Sequence, residues 1–199
     1  MVLFRPPHRF QQAVRFELLG PGAERLKCGR VLRKTKNSYD YKSLTLTTPV
    51  LRSGTASATF QIELDGSRKG PGHCLFVFGV FPADQPLDSF IFTADGKWCA
   101  LSARSYDGGF AQVLCDGVKS DEVYRLGWQQ GDKVKVEVAF EDATTAHVTL
   151  SSTGTAVDTT FMSWNRTLYG VPACGLRFGV GLSDKGKGVT LSASSVEEM

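Results

Sequence analysis

The sequence predicts an all-β protein: a two-layer antiparallel β-sandwich of about a dozen strands. Three observations carry that prediction. First, apolar residues alternate with polar ones. In TASATFQIELD, Ala56, Ala58, Phe60, Ile62 and Leu64 share one parity; in DKVKVEVAF, Val134, Val136, Val138 and Phe140 share one parity while Lys133, Lys135 and Glu137 take the other. Side chains on a strand point alternately to opposite faces, so each segment has one dry and one wet face, a pattern a helix of period 3.6 cannot use. Second, turn signals recur every 8–12 residues with no long helical pattern between them. Third, HCLFVFGVF (residues 73–81) is almost continuously apolar, as a strand covered on both faces must be.

Taken in order, residues 1–12, with Pro6-Pro7, read as a basic, irregular N-terminal arm, and residues 13–199 as a single sandwich domain. Residues 13–19 alternate through Val14, Phe16 and Leu18. GPGAE (20–24) reads as a turn, residues 26–32 as a second strand, and KTKNSYDY (34–41) as a polar loop. Leu44 and Leu46 mark a strand ending at Pro49. The long strand 55–65 follows, then the loop GSRKGPG (66–72) and the apolar strand 73–81. SFIFTA and KWCALSA, joined by Asp95-Gly96, read as a hairpin with a type I′ turn. Tyr106-Asp107-Gly108-Gly109 is a turn before FAQVLC. The pair 132–151 is followed by a strand within residues 155–164, and PACGLRFGVGL and GVTLSASSV supply the last two.

A chain of 199 residues is long enough to bury roughly 70% of its unfolded surface, so it needs neither disulfides nor metal for stability. The five cysteines are scattered, with no CxxC pair for zinc or redox chemistry, and Cys74, Cys99 and Cys115 fall in or beside apolar strands. Core thiols point to a reducing compartment, and no signal-peptide or membrane-spanning stretch is visible, so the expected location is intracellular, most simply the cytoplasm. The net charge of +3 is unevenly placed: residues 1–36 carry +7 and the remainder −4. The basic first fifth is either the wet face of early strands or a surface for an acidic partner or nucleic acid.

Several segments, in order, resemble the SPRY (B30.2-type) domain. A "sG" step before a strand like YWEVEV is matched by Arg52-Ser53-Gly54 and SATFQIEL, and a "vGv" strand by Phe78-Gly79-Val80. A strand opened by "GD" is matched by Gly131-Asp132-Lys133-Val134, followed by TTAHVTLSSTG. A closing "LYPAVGL" is matched by Leu168-Tyr169-Gly170-Val171-Pro172-Ala173-Cys174-Gly175-Leu176. The order holds over roughly residues 40–195. The family's Trp-Glu pair is replaced by Phe60-Gln61 and its "NG" turn by Thr153-Gly154. The resemblance implies a concanavalin-like jelly roll that is not an enzyme. It also implies binding of a protein or peptide partner through loops at one end, as a monomer or as a subunit of a larger scaffold.

The residues themselves offer little catalytic chemistry. His8 lies in the arm, His147 has the wet parity of its strand, and His73 and Cys74 are neighbours that point to opposite faces. Glu63 and Asp65 are the only carboxylates spaced by two on one strand face, the arrangement a glycosidase of this architecture would need. GSRKGPG lacks the Gly-Lys-Ser/Thr ending and the helix of a phosphate loop. No cofactor and no metal set is expected. Among the aromatics, Trp98 reads as core, and Trp128 and Trp164 as caps on it. Three loops carry an aromatic or basic group without an evident core role: residues 37–41, 67–70 and 104–109. Their expected partner-binding residues are Tyr39, Tyr41, Arg68, Lys69, Arg104, Tyr106 and Asp107. Two alternatives remain open: a carbohydrate-binding or glycan-hydrolysing protein of the same architecture, and a nucleic-acid-associated protein using residues 1–36.

Overall fold

The computed structural model describes residues 13–36, 43–64, 75–88, 97–104, 110–116, 118–119, 124–128, 130–153, 155–156, 162–183 and 187–197. The expected arm (1–12), Cys74 and residues 89–96, which include all of SFIFTA, lie outside them; the strand expected to pair with SFIFTA instead has residues 75–80 on one edge and 111–115 on the other. Among the described residues there are sixteen strands, more than the dozen expected because several are short: β1 (Arg15–Leu18), β2 (Ala23–Leu26), β3 (Val31–Lys34), β4 (Leu44–Thr48), β5 (Thr55–Leu64), β6 (Leu75–Pro82), β7 (Cys99–Arg104), β8 (Phe110–Cys115), β9 (Val118–Lys119), β10 (Tyr124–Gly127), β11 (Lys133–Phe140), β12 (Thr145–Ser152), β13 (Thr155–Ala156), β14 (Met162–Tyr169), β15 (Leu176–Leu182) and β16 (Lys187–Glu197). One sheet has the order β1-β4-β15-β6-β7-β8-β10-β13 with β9 added on β8; the other has the order β14-β12-β11-β5-β16-β3-β2. Every pairing is antiparallel.

The dry parities read from the sequence meet between the sheets. Ala56, Ala58, Phe60 and Ile62 of β5 and Val134, Val136 and Val138 of β11 pack in one cluster with Phe16, Phe76, Phe78, Phe178 and Val180 of the opposite sheet. Phe60 joins the layers: its ring lies 6.1 Å from that of Phe16 and 5.6 Å from that of Phe78. Trp128 closes one side of the core edge-on to Phe76 and Phe78, and its indole N–H donates to Ser152 Oγ at 2.8 Å, so the one polar atom of the ring is satisfied. Trp98, Trp128 and Trp164 are all buried, as their sequence contexts suggest.

Strand β6 is buried on both faces. Phe76, Phe78 and Val80 enter the main core, while Val77 and Phe81 join Leu44, Leu46, Trp98, Ala100 and Leu114 in a second cluster on the outer side of the same sheet. Leu87 packs against this second cluster, and its carbonyl accepts the Leu44 amide at 3.0 Å. Phe81 reaches across β15 at Gly179, where a Cβ would stand 2.4 Å from the Phe81 ring.

Residues 23–34 depart from the expected layout. Instead of one strand over 26–32 there is a hairpin: β2 begins inside the expected turn at Ala23, and a 3-10 turn, Lys27–Gly29, separates it from β3. The backbone reverses through three successive positive φ values, at Lys27, Cys28 and Gly29. Only Gly29 signals this, and the alternation of Leu26, Cys28 and Arg30 masks it. At the far side of β16 a bulge between Leu191 and Ala193 interrupts the ladder. The Arg30 guanidinium donates to the Leu191 carbonyl at 3.0 and 3.2 Å and to the Ser192 carbonyl at 3.3 Å, supplying partners for acceptors beside the bulge.

Candidate functional site

The strand directions decide which loops share an end. Laterally, Leu44 stands beside Gly181, Gly181 beside Val77, and Val77 beside Ser102, so β4 and β6 start where β15 and β7 finish. In the other sheet, Leu64 pairs with Lys187 and Arg33 with Gly188, so β5 and β3 finish where β16 starts. β15 and β16 are consecutive, which brings these two rows to one end. The strand ends that flank residues 37–41, 67–70 and 104–109 therefore converge there. Of the expected site residues, Arg104 closes β7. Tyr39, Tyr41, Arg68, Lys69, Tyr106 and Asp107 lie outside the described residues.

The described residues at that end are tied together by polar contacts. Lys34 is almost fully buried, and its ammonium donates to the Pro21 carbonyl at 2.6 Å, which also accepts the Ser43 hydroxyl at 2.9 Å. Glu63, one half of the Glu63–Asp65 carboxylate pair, accepts the Gln130 amide at 2.6 Å and the Thr190 hydroxyl at 3.1 Å. It braces the connection before β11 against β16; its companion Asp65 lies outside the described residues. Tyr169, 62% exposed, stands at the opposite end, where β14 finishes beside the start of β12.

A concave feature lies away from the end at which β5 and β7 finish. A groove of about 420 Å³ runs over the outward face of the seven-stranded sheet. Register builds it: Ser195, Ser57 and Glu137 stand side by side across β16, β5 and β11, with Thr149 next on β12. Small side chains in the row leave the hollow. The Ser57 and Ser195 hydroxyls lie 3.0 Å apart, and Lys135 pairs with Glu137 at 2.7 Å. His147 is exposed, as its parity predicts; its Nε2 lies 3.2 Å from Glu141 and its Nδ1 3.3 Å from the Thr167 hydroxyl. The Thr149 hydroxyl donates to Asn165 Oδ1 at 2.8 Å. The lining thus mixes hydroxyls and charge with Ala56, Val138 and Ala139, and Glu137 is its single carboxylate among the described residues. The sequence shows each of these residues as wet-face, but the cross-strand register that makes them neighbours is not written in any one segment.

Among the described residues no group of three or more His, Cys, Asp or Glu could hold a metal ion, and no helix is long and apolar enough to cross a membrane.

No protein-family model matches the chain, and no curated protein matches it in sequence. Solved structures do match in shape. The TRIM65 PSpry domain aligns with a TM-score of 0.57 at 11% identity, over 92% of this chain and 91% of that one. The SPRY domain of human HERC1 aligns with a TM-score of 0.53 at 18% identity, over 92% and 99%. A seed lectin of Lotus tetragonolobus aligns with a TM-score of 0.54 at 12% identity, over 94% of each chain. The chain has the SPRY-like jelly-roll fold, an architecture it shares with legume lectins.

Proposed function

We propose that the chain is a non-catalytic protein-interaction module that binds a peptide or protein partner through loops at one end of its sandwich. The observation that carries this reading is the convergence, on a single end, of the strand ends flanking residues 37–41, 67–70 and 104–109. A rigid sandwich holding several loops together is a suitable platform for recognition. Tyr39, Tyr41, Tyr106 and Arg104 supply the residue types that dominate interface energetics; Arg68, Lys69 and Asp107 supply charge around them. The SPRY-like fold supports the reading by analogy of architecture. Free buried thiols suit a reducing, intracellular setting, in which the protein acts as a monomer or as one subunit of a scaffold.

The test is affinity capture from native extract, comparing the wild-type chain with a variant carrying alanine at Tyr39, Tyr41, Arg68, Arg104 and Tyr106. A partner retained by the wild type and lost by a variant of unchanged thermal midpoint supports the reading. A partner retained by both excludes this end.

The groove favours a second reading, glycan binding. Its lining of hydroxyls, an ion pair and a histidine offers the hydrogen-bonding groups a saccharide uses, and the lectin likeness concerns the same architecture. A single carboxylate in the described lining argues for binding rather than hydrolysis, which needs two. Selective signals on a glycan array that disappear in Glu137→Gln and Thr149→Ala would favour it.

A further inference from the structure

Cys99 and Cys115 stand directly opposite each other on β7 and β8. The kind of pair they form follows from the neighbouring bond. Trp98 and Asp116 are the next opposed residues in that register, and the Asp116 amide donates to the Trp98 carbonyl at 3.0 Å. Hydrogen-bonded and non-hydrogen-bonded pairs alternate along an antiparallel ladder. Trp98 and Asp116 are the hydrogen-bonded pair, so Cys99 and Cys115 are the non-hydrogen-bonded one. In such pairs the Cα atoms lie about 4.5 Å apart and the side chains are closest. That separation falls inside the roughly 4.4–6.8 Å a disulfide tolerates. The two side chains point to the same face, into the main core, where the Cys115 thiol donates to the Thr167 carbonyl at 4.0 Å.

The two sulfurs are not equivalent. Cys99 is fully buried, and donating its hydrogen bond to Cys115, together with burial, pushes its pKa well up. Cys115 is 8% exposed, and accepting that hydrogen bond, with help from the Arg166 guanidinium, lowers its pKa against the opposing effects of burial and Asp116. Of the two, Cys115 has the lowered pKa and the greater exposure, the features that favour attack by a thiol.

We propose that Cys99 and Cys115 form a reversible dithiol–disulfide site oxidised by hydroperoxides. The Cys115 thiolate attacks the peroxide oxygen; the O–O bond breaks, the leaving hydroxide takes up the proton released when the thiol ionised and departs as water, and Cys115 becomes a sulfenic acid. The Cys99 sulfur then attacks the Cys115 sulfur, the S–S bond forms, and the hydroxyl departs with the Cys99 proton as a second water. Two thiols and one hydrogen peroxide give one disulfide and two waters, with two electrons passing to the peroxide. A dithiol reductant reverses the step. The cross-link would staple the β7–β8 hairpin near the end away from residues 105–109, which join the two strands. This site is independent of the proposed binding surface.

The test uses the full chain with Cys28→Ser, Cys74→Ser and Cys174→Ser, leaving only the pair, alongside the wild type in case the triple variant does not fold. Each is treated with hydrogen peroxide and, separately, with diamide. Remaining thiols are then alkylated after denaturation, and peptides are mapped by mass spectrometry. The expected result is loss of both alkylatable thiols, a linked Cys99–Cys115 peptide about 2 Da lighter than its reduced parts, and full recovery with dithiothreitol. Two thiols still free in folded protein after both oxidants would overturn the proposal. So would sulfinic acid at Cys115 without a cross-link, or disulfides in the wild type that join other cysteines and leave this pair reduced.

Discussion

Replacing Phe60 with alanine is the most severe single test of the two-layer packing. Phe60 has no exposed surface, and its ring is the contact from β5 to both Phe16 and Phe78 of the opposite sheet. Truncation removes the ring's transfer energy and leaves a cavity bounded on two sides by strands that cannot collapse without breaking ladders. Phe-to-Ala changes at such sites cost about 3–5 kcal/mol. For a domain of this size, each kcal/mol lowers the thermal midpoint by about 2–4 °C, giving a fall of roughly 6–20 °C. Lys135→Ala, on the wet face of the adjacent strand, removes an ion pair with Glu137 between two half-exposed side chains. Such pairs contribute at most about 1 kcal/mol. Urea unfolding followed by circular dichroism measures both variants against the wild type. If Phe60→Ala costs less than about 1 kcal/mol, or no more than Lys135→Ala, the assignment of dry and wet faces is wrong.

Two glycines separate space from backbone conformation. Gly179→Ala forces a methyl into the Phe81 ring and within 3.0 Å of Leu46, and Phe81 is itself pinned by Trp98 at 5.9 Å, so a loss of about 1–3 kcal/mol is expected in the same unfolding assay. Gly131→Ala meets no atom within 4 Å, yet Gly131 has φ +89°, so only the backbone term of about 1–2 kcal/mol applies; a neutral result would contradict it. In the β11–β12 turn, Asp142 accepts bonds from the Thr144 amide and hydroxyl and from the Thr145 amide at 2.7–2.9 Å, and the Thr144 amide bond is the main cause of its lowered pKa. A depressed carboxyl stabilises the turn above its unfolded value of about 4 and loses that contribution as pH falls through the folded value. The exchange protection of the Thr144 and Thr145 amides should therefore drop below about pH 4 in the wild type and be low at all pH in Asp142→Ala. If residues 1–36 bind nucleic acid, affinity must fall steeply between 50 and 200 mM salt, by about threefold for each phosphate contact; salt-indifferent binding excludes that reading.

The sheet faces were legible because burial follows a period of two, which a single segment displays: β5 and β11 appear with the parities their sequences give, and β6, apolar on both parities, lies inside its sheet. What was not legible depends on partners. The second cluster around Phe81 and Trp98 needs Gly179 beside Phe81, two strands brought together from nearly a hundred residues apart. The β2–β3 reversal hides in Leu26-Lys27-Cys28-Gly29, where two non-glycine residues, Lys27 and Cys28, adopt the left-handed conformation that sequence reasoning assigns to glycine. The groove exists only because register sets Ser195, Ser57 and Glu137 in one row. Residue type alone marks the candidate loops in the sequence, and the strand directions add that the ends flanking them meet.

The most direct test of the interaction reading is amide hydrogen exchange of the full chain with and without the captured partner. New protection is expected in peptides covering residues 37–41, 67–70 and 104–109, abolished when Tyr39, Tyr41 and Tyr106 are replaced by alanine. Each such hot-spot truncation should cost at least about 2 kcal/mol, roughly thirtyfold in affinity. Protection confined to the outward face of β11 and β12, or to the opposite end around Tyr169, would contradict it.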